Sequence, residues 1–508
     1  MPESNSRSAI VAKNALFSVL SWILPLGLNL IVTPIIVSGL GTASFGIYAL
    51  ALGFIGYSFT FGVGKAAGKY VAQFKAAGDT KAISEAVTAV LIASAILGVV
   101  AAIVFWLFSR ALVVELLALP HDQIEAATRS LQFAGMVILF TMISLVYQNI
   151  LQGIQRFDRL FLISNISAVS MNAGAAVIAL NGGTVEALLL WNLITVAGIA
   201  IVFILTAKAL LPQLRFDTSV RHEIRKKIFF YSGSIILYQV AGNLLFIFER
   251  SLIVREFGTS VLTFYAIPLS LAVHFLGFAA GISLAVFPAA NSLLGDKDKS
   301  LILYKVSTKL LVGASSFFLL GAILFGREFL ALWLGTDFAE HSYNILVFHS
   351  ATFAIMGATI IAWQFTESNE KFGLNAAFTA TSSLVAAILM IFLFRIYGPE
   401  GIAFSRFAGS SILIFLIIVF EKRIFGTVLL PLWLMLPIKI LVAALAAGTA
   451  SYFLSNLLPD GWPTLLAEAA ISFIIFCIAL FSMRFFAQDE IEIFKSVLGR
   501  LFLRGQKV

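Results

Sequence analysis

Residues 87–108 read VTAVLIASAILGVVAAIVFWLF, with no charged residue and Gly98 as the sole helix-weakening position. At about 1.5 Å rise per residue, about 20 apolar residues carry a helix across the hydrocarbon layer. A run this long and apolar on all sides has no solvated face, so it is an element made for lipid.

Working outward, runs of the same kind recur at 14–38, 45–70, 84–108, 124–150, 160–181 and 185–210. A basic connection at 211–227 follows, and then runs at 229–254, 261–288, 301–325, 341–366, 372–396, 399–420, 431–457 and 463–486. The expected fold is an all-α polytopic membrane protein of about 14 transmembrane helices. The first run is too long for the ~7–15 apolar residues of a signal-peptide core and reads as an uncleaved span. Composition agrees: 60% of the 508 residues are hydrophobic and 12% charged, about half the charged share of a soluble domain. The fourth and tenth spans are the most polar, carrying Arg129, Gln148 and Asn149, and His349 and Gln364.

The formal charge of +8 does not point to nucleic acid, because the basic residues sit in short segments between apolar runs. Of the 34 Lys and Arg, 26 fall on one side of the expected topology and about six near the other. The positive-inside bias therefore places both termini in the cytoplasm.

A weak repeat runs through the chain at an offset of 217 residues: Gly41-Thr42 with Gly258-Thr259, Gly78-Asp79 with Gly295-Asp296, and Arg110 with Arg327. Each pair occupies the same point of its half. The implied organisation is a six-helix lobe over 1–210, a cytoplasmic connection at 211–228, a second pseudo-symmetric six-helix lobe over 229–424, and two extra helices with a tail over 425–508. Two lobes of the same orientation with a path between them is a plan of secondary transporters.

Soluble chemistry is hard to find. Gly64-Lys65 is no phosphate loop, since Phe59 stands where Gly is needed and Ala66 where Ser or Thr would bind magnesium. One cysteine, Cys477, leaves no internal disulfide, and no HExxH or spaced Cys/His cluster offers a metal site. Cofactor, metal and catalytic residues are expected to be none, and segments outside the bilayer are too short for a catalytic domain. A membrane glycosyltransferase or polymerase, the rival from another class, would carry a long outer loop.

The informative residues are polar ones at membrane depth, where an ionisable group needs a cavity or a partner. Lys65 and Lys69 share one helix face and either offer charge to an anionic headgroup or snorkel to the interface. Arg250, beside Glu249, either meets substrate or closes an ion pair, with Glu249 as a titrating group in the first case. Arg406 lies too deep to snorkel. His274 and His349 are candidates for proton coupling or for ordinary interhelical hydrogen bonds. Asn29, Asn172, Gln239 and Asn243 would line a polar path or join helices. Pro25 and Pro34 each remove a backbone donor from the first helix, which would suit a gate. The Gly64-xxx-Gly68 spacing reads as a packing face.

Asn14, the stretches PIIVSGLGTASFGIY (34–48), KYVAQFKAAGD (69–79), FERSLIVREFGTSVLTFYAIP (248–268) and YGPEGIAFSR (397–406) together resemble the polysaccharide-export (O-antigen) flippases. These belong to the superfamily of multidrug, oligosaccharidyl-lipid and polysaccharide exporters. The resemblance spans about residues 10–425 and departs from the family in Glu249, where Asp is expected. It implies translocation of a polyprenyl-diphosphate-linked oligosaccharide across the bacterial inner membrane by alternating access, with H+ or Na+ as coupling ion. Expected partners are that lipid-linked substrate, membrane lipids and polysaccharide-assembly proteins, and no nucleic acid. Lys65, Arg250 and Arg406 would supply charge for the diphosphate. A multidrug or organic-cation antiporter and a lipid-linked peptidoglycan-precursor flippase of the same superfamily are the nearest rivals; a cation substrate would call for acidic residues along the path.

Overall fold

A computed structural model describes residues 24–57, 61–217, 219–292, 297–369, 372–488 and 490, with a few helical positions described by backbone alone. Among these residues the fold is all-α and polytopic, and ten helices are long and apolar enough to cross a membrane. The helices are α1 (Leu24–Leu40), α2 (Thr42–Tyr57), α3 (Phe61–Ala76), α4 (Thr80–Ala111), α5 (His121–Gly153), α6 (Phe157–Leu180) and α7 (Val185–Leu210). After the connection come α8 (His222–Phe257), α9 (Thr259–Ser292), α10 (Lys297–Leu334), α11 (Thr336–Ser368), α12 (Phe372–Ser410), α13 (Leu413–Ile424), α14 (Leu430–Ser455) and α15 (Trp462–Ser482).

Every expected span is helical over most of its described residues. The second is divided between α2 and α3, on either side of 58–60, and residues 14–23 of the first lie outside the described residues. The eleventh is the limb 372–397 of α12, which reverses at Gly398 (φ 58°, ψ −143°); the twelfth, expected over 399–420, begins with Pro399 in the return limb, passes a turn at 411–412 and continues in α13. Ser382 Oγ donates to Gly409 O at 2.9 Å, closing that hairpin.

Lipid-facing surfaces are visible as stripes. On α4, Ile96, Val100, Ile103 and Leu107 are exposed along one face, while Ile83, Val87, Val90 and Gly98 face inward. Exposed aliphatics on a membrane helix meet acyl chains, so they need no protein partner. The two polar spans, α5 and α11, each have 56% of their most apolar window buried against other helices, while Arg129 near the start of α5 is exposed and pairs with Glu125.

The repeat reappears in the backbone. Gly41 (φ 79°) ends α1 and Thr42 opens α2; 217 residues on, Gly258 (φ 87°) ends α8 and Thr259 opens α9. Ala118 (φ 49°) and Gly335 (φ 98°) stand at the same offset, and Gly182 (φ 69°) and Gly398 at one residue less. In each Gly-Thr junction the glycine N–H closes the outgoing helix, Gly41 to Val37 O and Gly258 to Val254 O, both at 2.9 Å. The left-handed conformation that this chain reversal needs is free for glycine alone.

By contacts the described residues divide into two units, one ending at Ala266 and the other beginning at Ile267. The division falls inside α9, whereas the repeat drew it at 211–228. The difference has a physical source: α8 and the start of α9 pack closely on α2, and the connection before α8 is strapped to α4. The core of the first unit gathers Ala67, Val71, Ile83, Val87, Ile150 and Phe203. The second packs Tyr304, Ile361, Phe365 and Phe420 in one cluster, and α14 against α15 through Ala443, Ala447 and Phe476 in another.

Candidate functional site

In the first unit the charged pair near the end of α8 is deeply enclosed: Glu249 has no exposed surface and Arg250 only 8%. Two glycines on one face of α2 make room. A Cβ built on Gly53 would lie 2.6 Å from Arg250 Cδ and Nε, and one on Gly46 would lie 1.9 Å from the Thr259 carbonyl oxygen. Tyr265 donates its hydroxyl to the Glu249 carboxylate. Two residues earlier on α9, Thr263 Oγ1 donates to Thr42 O at 2.6 Å. The result is a guanidinium and a hydrogen-bonded carboxylate enclosed by three helices, an environment in which charge is retained only with partners. A guanidinium so held presents a fixed positive charge that can meet an anion.

In the second unit His349, with no exposed surface, and Arg406, with 5%, are both buried. Phe348 packs edge-on against Phe404 at 5.5 Å between ring centroids, and Asn344 Nδ2 donates to Glu400 Oε1 at 3.0 Å. These contacts lay α11 along the return limb of α12, with His349 and Arg406 at about the same level.

Other sequence candidates sit differently. Lys65 and Lys69 are exposed on α3, and Lys69 Nζ lies 5.6 Å from the Tyr70 ring centre. The adjacent Gly64 and Gly68 pack on α5, where a Cβ on Gly68 would meet Asn149 O at 2.7 Å, so that spacing is a packing face. Asn29, Pro25 and Pro34 are half-buried, and α1 continues through Pro34 without a break. Asn172 Nδ2 bonds back to Ala168 O at 3.0 Å. His274 Nδ1 lies 2.7 Å from Ser270 O on its own helix. Asn243 is half-buried, and its amide nitrogen is enclosed without a hydrogen-bond partner among the described residues. The Gln239 side chain lies outside the described residues. No group of three or more His, Cys, Asp or Glu fit to hold a metal occurs among the described residues.

Apart from Glu249, sequence reasoning missed the buried carboxylates, Glu85 and Glu421 among them. Glu85 on α4 is fully enclosed and receives Arg221 Nε at 2.8 Å and the Arg221 N–H at 3.2 Å. Asp79, the N-cap of α4, accepts from Ala82 N at 2.9 Å and reaches Arg221 Nη2 at 3.4 Å. The Ala82 N–H first, and then Arg221, hold the Asp79 carboxyl below its ordinary range, while Glu85 pushes Arg221 further up. The connection is stitched to the same helix by Arg215 N to Ser84 Oγ at 3.2 Å and Asp217 N to Thr88 Oγ1 at 3.0 Å. Glu421, also fully enclosed, accepts from Tyr304 Oη at 3.0 Å, Leu429 N at 2.7 Å and Trp433 Nε1 at 2.7 Å, locking the turn between α13 and α14. A carboxylate in or at the end of an apolar run was the available signal for both.

The backbone of α1 to α6, with its close glycine junctions, is where a family model aligns. Residues 18–178 match the MatE family. Beyond that MatE match, the chain is 21% identical over 407 residues to a Shigella flexneri protein named "Putative O-antigen transporter", covering 78% of this chain and 94% of the relative. Its fold resembles that of a solved lipid II flippase, MurJ, in an inward closed conformation: TM-score 0.72, 15% identity, 94% of this chain and 99% of the other. A transporter of the MOP superfamily from Pyrococcus furiosus matches with TM-score 0.62 and 17% identity over 82% of this chain and 96% of its own. An outward-facing multidrug MATE transporter matches with TM-score 0.63 and 16% identity over 82% and 96%. These relatives are transporters and flippases, not enzymes, and the chain shares their multi-pass membrane fold.

Proposed function

We propose that this protein is a flippase that moves a polyprenyl-diphosphate-linked oligosaccharide, the repeat unit of an O-antigen or exopolysaccharide, across the bacterial inner membrane. Both termini face the cytoplasm, transport proceeds by alternating access of two lobes, and a H+ or Na+ gradient drives it. The observation that carries this reading is the burial of one arginine among the helices of each unit, Arg250 at 8% and Arg406 at 5% exposure. A buried guanidinium suits a diphosphate through paired, charge-assisted hydrogen bonds. The relative named as an O-antigen transporter, matched over 94% of its length, supports the oligosaccharide. In this reading Glu249 and His349 take the coupling proton, and Asn29 and Asn243 meet sugar hydroxyls, the role also proposed for Gln239 from the sequence alone.

The fold match to the lipid II flippase over 94% of this chain favours one second reading, a lipid-linked peptidoglycan precursor as cargo. One experiment separates them. Purified protein is reconstituted in liposomes carrying either lipid-linked substrate in one leaflet, and appearance in the other is followed with a membrane-impermeant glycosidase, with and without an imposed proton or sodium gradient. Gradient-dependent exposure of the O-antigen-type lipid, lost in Arg250→Lys and Arg406→Lys, is expected. Exposure of the peptidoglycan precursor alone selects the second reading, and exposure of neither removes both.

A further inference from the structure

At the end of the second unit where α14 begins and α15 has just ended, α10 and α14 enclose a cavity of about 300 Å³ with the segment that follows α15. That is the lower end of the range for small-molecule sites, about 300–1,000 Å³. Three lysines, Lys305, Lys309 and Lys439, line it with one carboxylate, Glu490. Glu490 is committed to Lys309, which bonds both carboxylate oxygens at 2.8 and 2.7 Å, and to the Ala487 N–H at 2.8 Å. Lys439 gives one N–H to the Arg484 carbonyl at 2.9 Å, which leaves its charge uncompensated. Lys305 has no ion pair among the described residues. Among the described residues that line it, the cavity thus holds two positive charges more than its carboxylate balances.

Its remaining walls are apolar, with Leu432, Leu436 and Phe485 among them. Met435, also a wall residue, is 56% exposed and continues into Leu434 (59%) and Ile438 (58%) on the outer surface of α14. A free anion would use only the lysines, whereas a ligand with a phosphate head and an acyl tail would use both the lysines and this apolar lip. We propose that the cavity is a binding site for the phosphate headgroup of an anionic bilayer phospholipid, with one acyl chain lying along Met435 and Ile438. Basic pockets between membrane helices at the cytoplasmic face take such headgroups, and the charge count places this end of α14 in the cytoplasm. Lys305 and Lys439 hold the phosphate; Lys309, already paired with Glu490, shapes the floor.

The test uses the full-length protein, delipidated in mild detergent, and native mass spectrometry of retained lipid after addition of phosphatidylglycerol, phosphatidylcholine or geranylgeranyl diphosphate; inorganic phosphate is added as competitor. Wild type is expected to retain phosphatidylglycerol well above phosphatidylcholine, and K305Q/K439Q to retain several-fold less, while K305R/K439R retains it as wild type does. Should the double variant fail to fold, the single K305Q decides, since Lys305 gives up no ion pair. Equal retention by wild type and the Gln variants overturns the proposal. So do equal retention of phosphatidylcholine, displacement by inorganic phosphate at comparable concentration, and preference for the isoprenyl diphosphate, which would mark a cargo site instead.

Discussion

Gly53 on α2 occupies the space that lets Arg250 of α8 lie buried against it: any Cβ at residue 53 would fall 2.6 Å from the Arg250 Cδ and Nε atoms. The arginine most central to the proposed transport is therefore positioned by the absence of a side chain on another helix.

Gly53→Ala should displace the Arg250 side chain, destabilise the fold by about 1–3 kcal/mol as overpacking does, and lower transport. Gly46→Ala should be worse, because the obstruction is the Thr259 carbonyl 1.9 Å away, which is backbone and cannot rotate aside. Gly56→Ala, with nothing within 4 Å, is the control, neutral or slightly stabilising. Thermal unfolding in detergent ranks the three.

Arg250→Lys keeps the charge and gives up the planar fork. Losing one hydrogen bond to a charged ligand at about 1.5–3 kcal/mol corresponds to about a ten- to hundredfold loss of transport. Lys65→Gln and Lys69→Gln, both on exposed side chains, are expected to stay close to wild type. Initial rates in the liposome assay distinguish the two classes, and a Lys65 effect as large as that of Arg250 would contradict the assignment.

The Asp79 carboxyl is held below its ordinary range by the Ala82 N–H and by Arg221. Its contribution to stability is present above the unfolded value, about pH 3.9, and is lost as pH falls towards the folded one. The melting temperature should drop on acidification below about pH 4, and Asp79→Asn should flatten that part of the profile while leaving the neutral region only modestly lowered.

Glu421→Ala leaves the buried donors Tyr304 Oη, Leu429 N and Trp433 Nε1 without their acceptor. At about 1–3 kcal/mol for each unsatisfied buried group, the variant should express poorly or melt far below wild type. Glu421→Gln, which keeps one acceptor oxygen, should lie between the two; equal behaviour of Ala and wild type would show that the α13–α14 turn is held by packing alone.

The sequence by itself determined where the helices run. Whether residues 87–108 enter lipid is a local question of length and transfer energy, and the reversals are equally local: Gly41 and Gly258 are left-handed helix stops, and Gly398-Pro399 splits two spans. What only the tertiary structure decided is which polar groups meet. Arg221 and Glu85 pair across 136 residues and Tyr304 and Glu421 across 117, and Gly53 faces Arg250 from another helix. In a soluble helix the apolar stripe announces the buried face. In a span such as α4 lipid and protein both accept apolar side chains, so that periodicity fades and helix rotation is set by close packing of small residues and by buried hydrogen bonds. For this reason Lys65 and Arg250 looked alike as intramembrane cations in one dimension, and only the packing of α2, α8 and α9 separated the exposed lysine from the enclosed arginine.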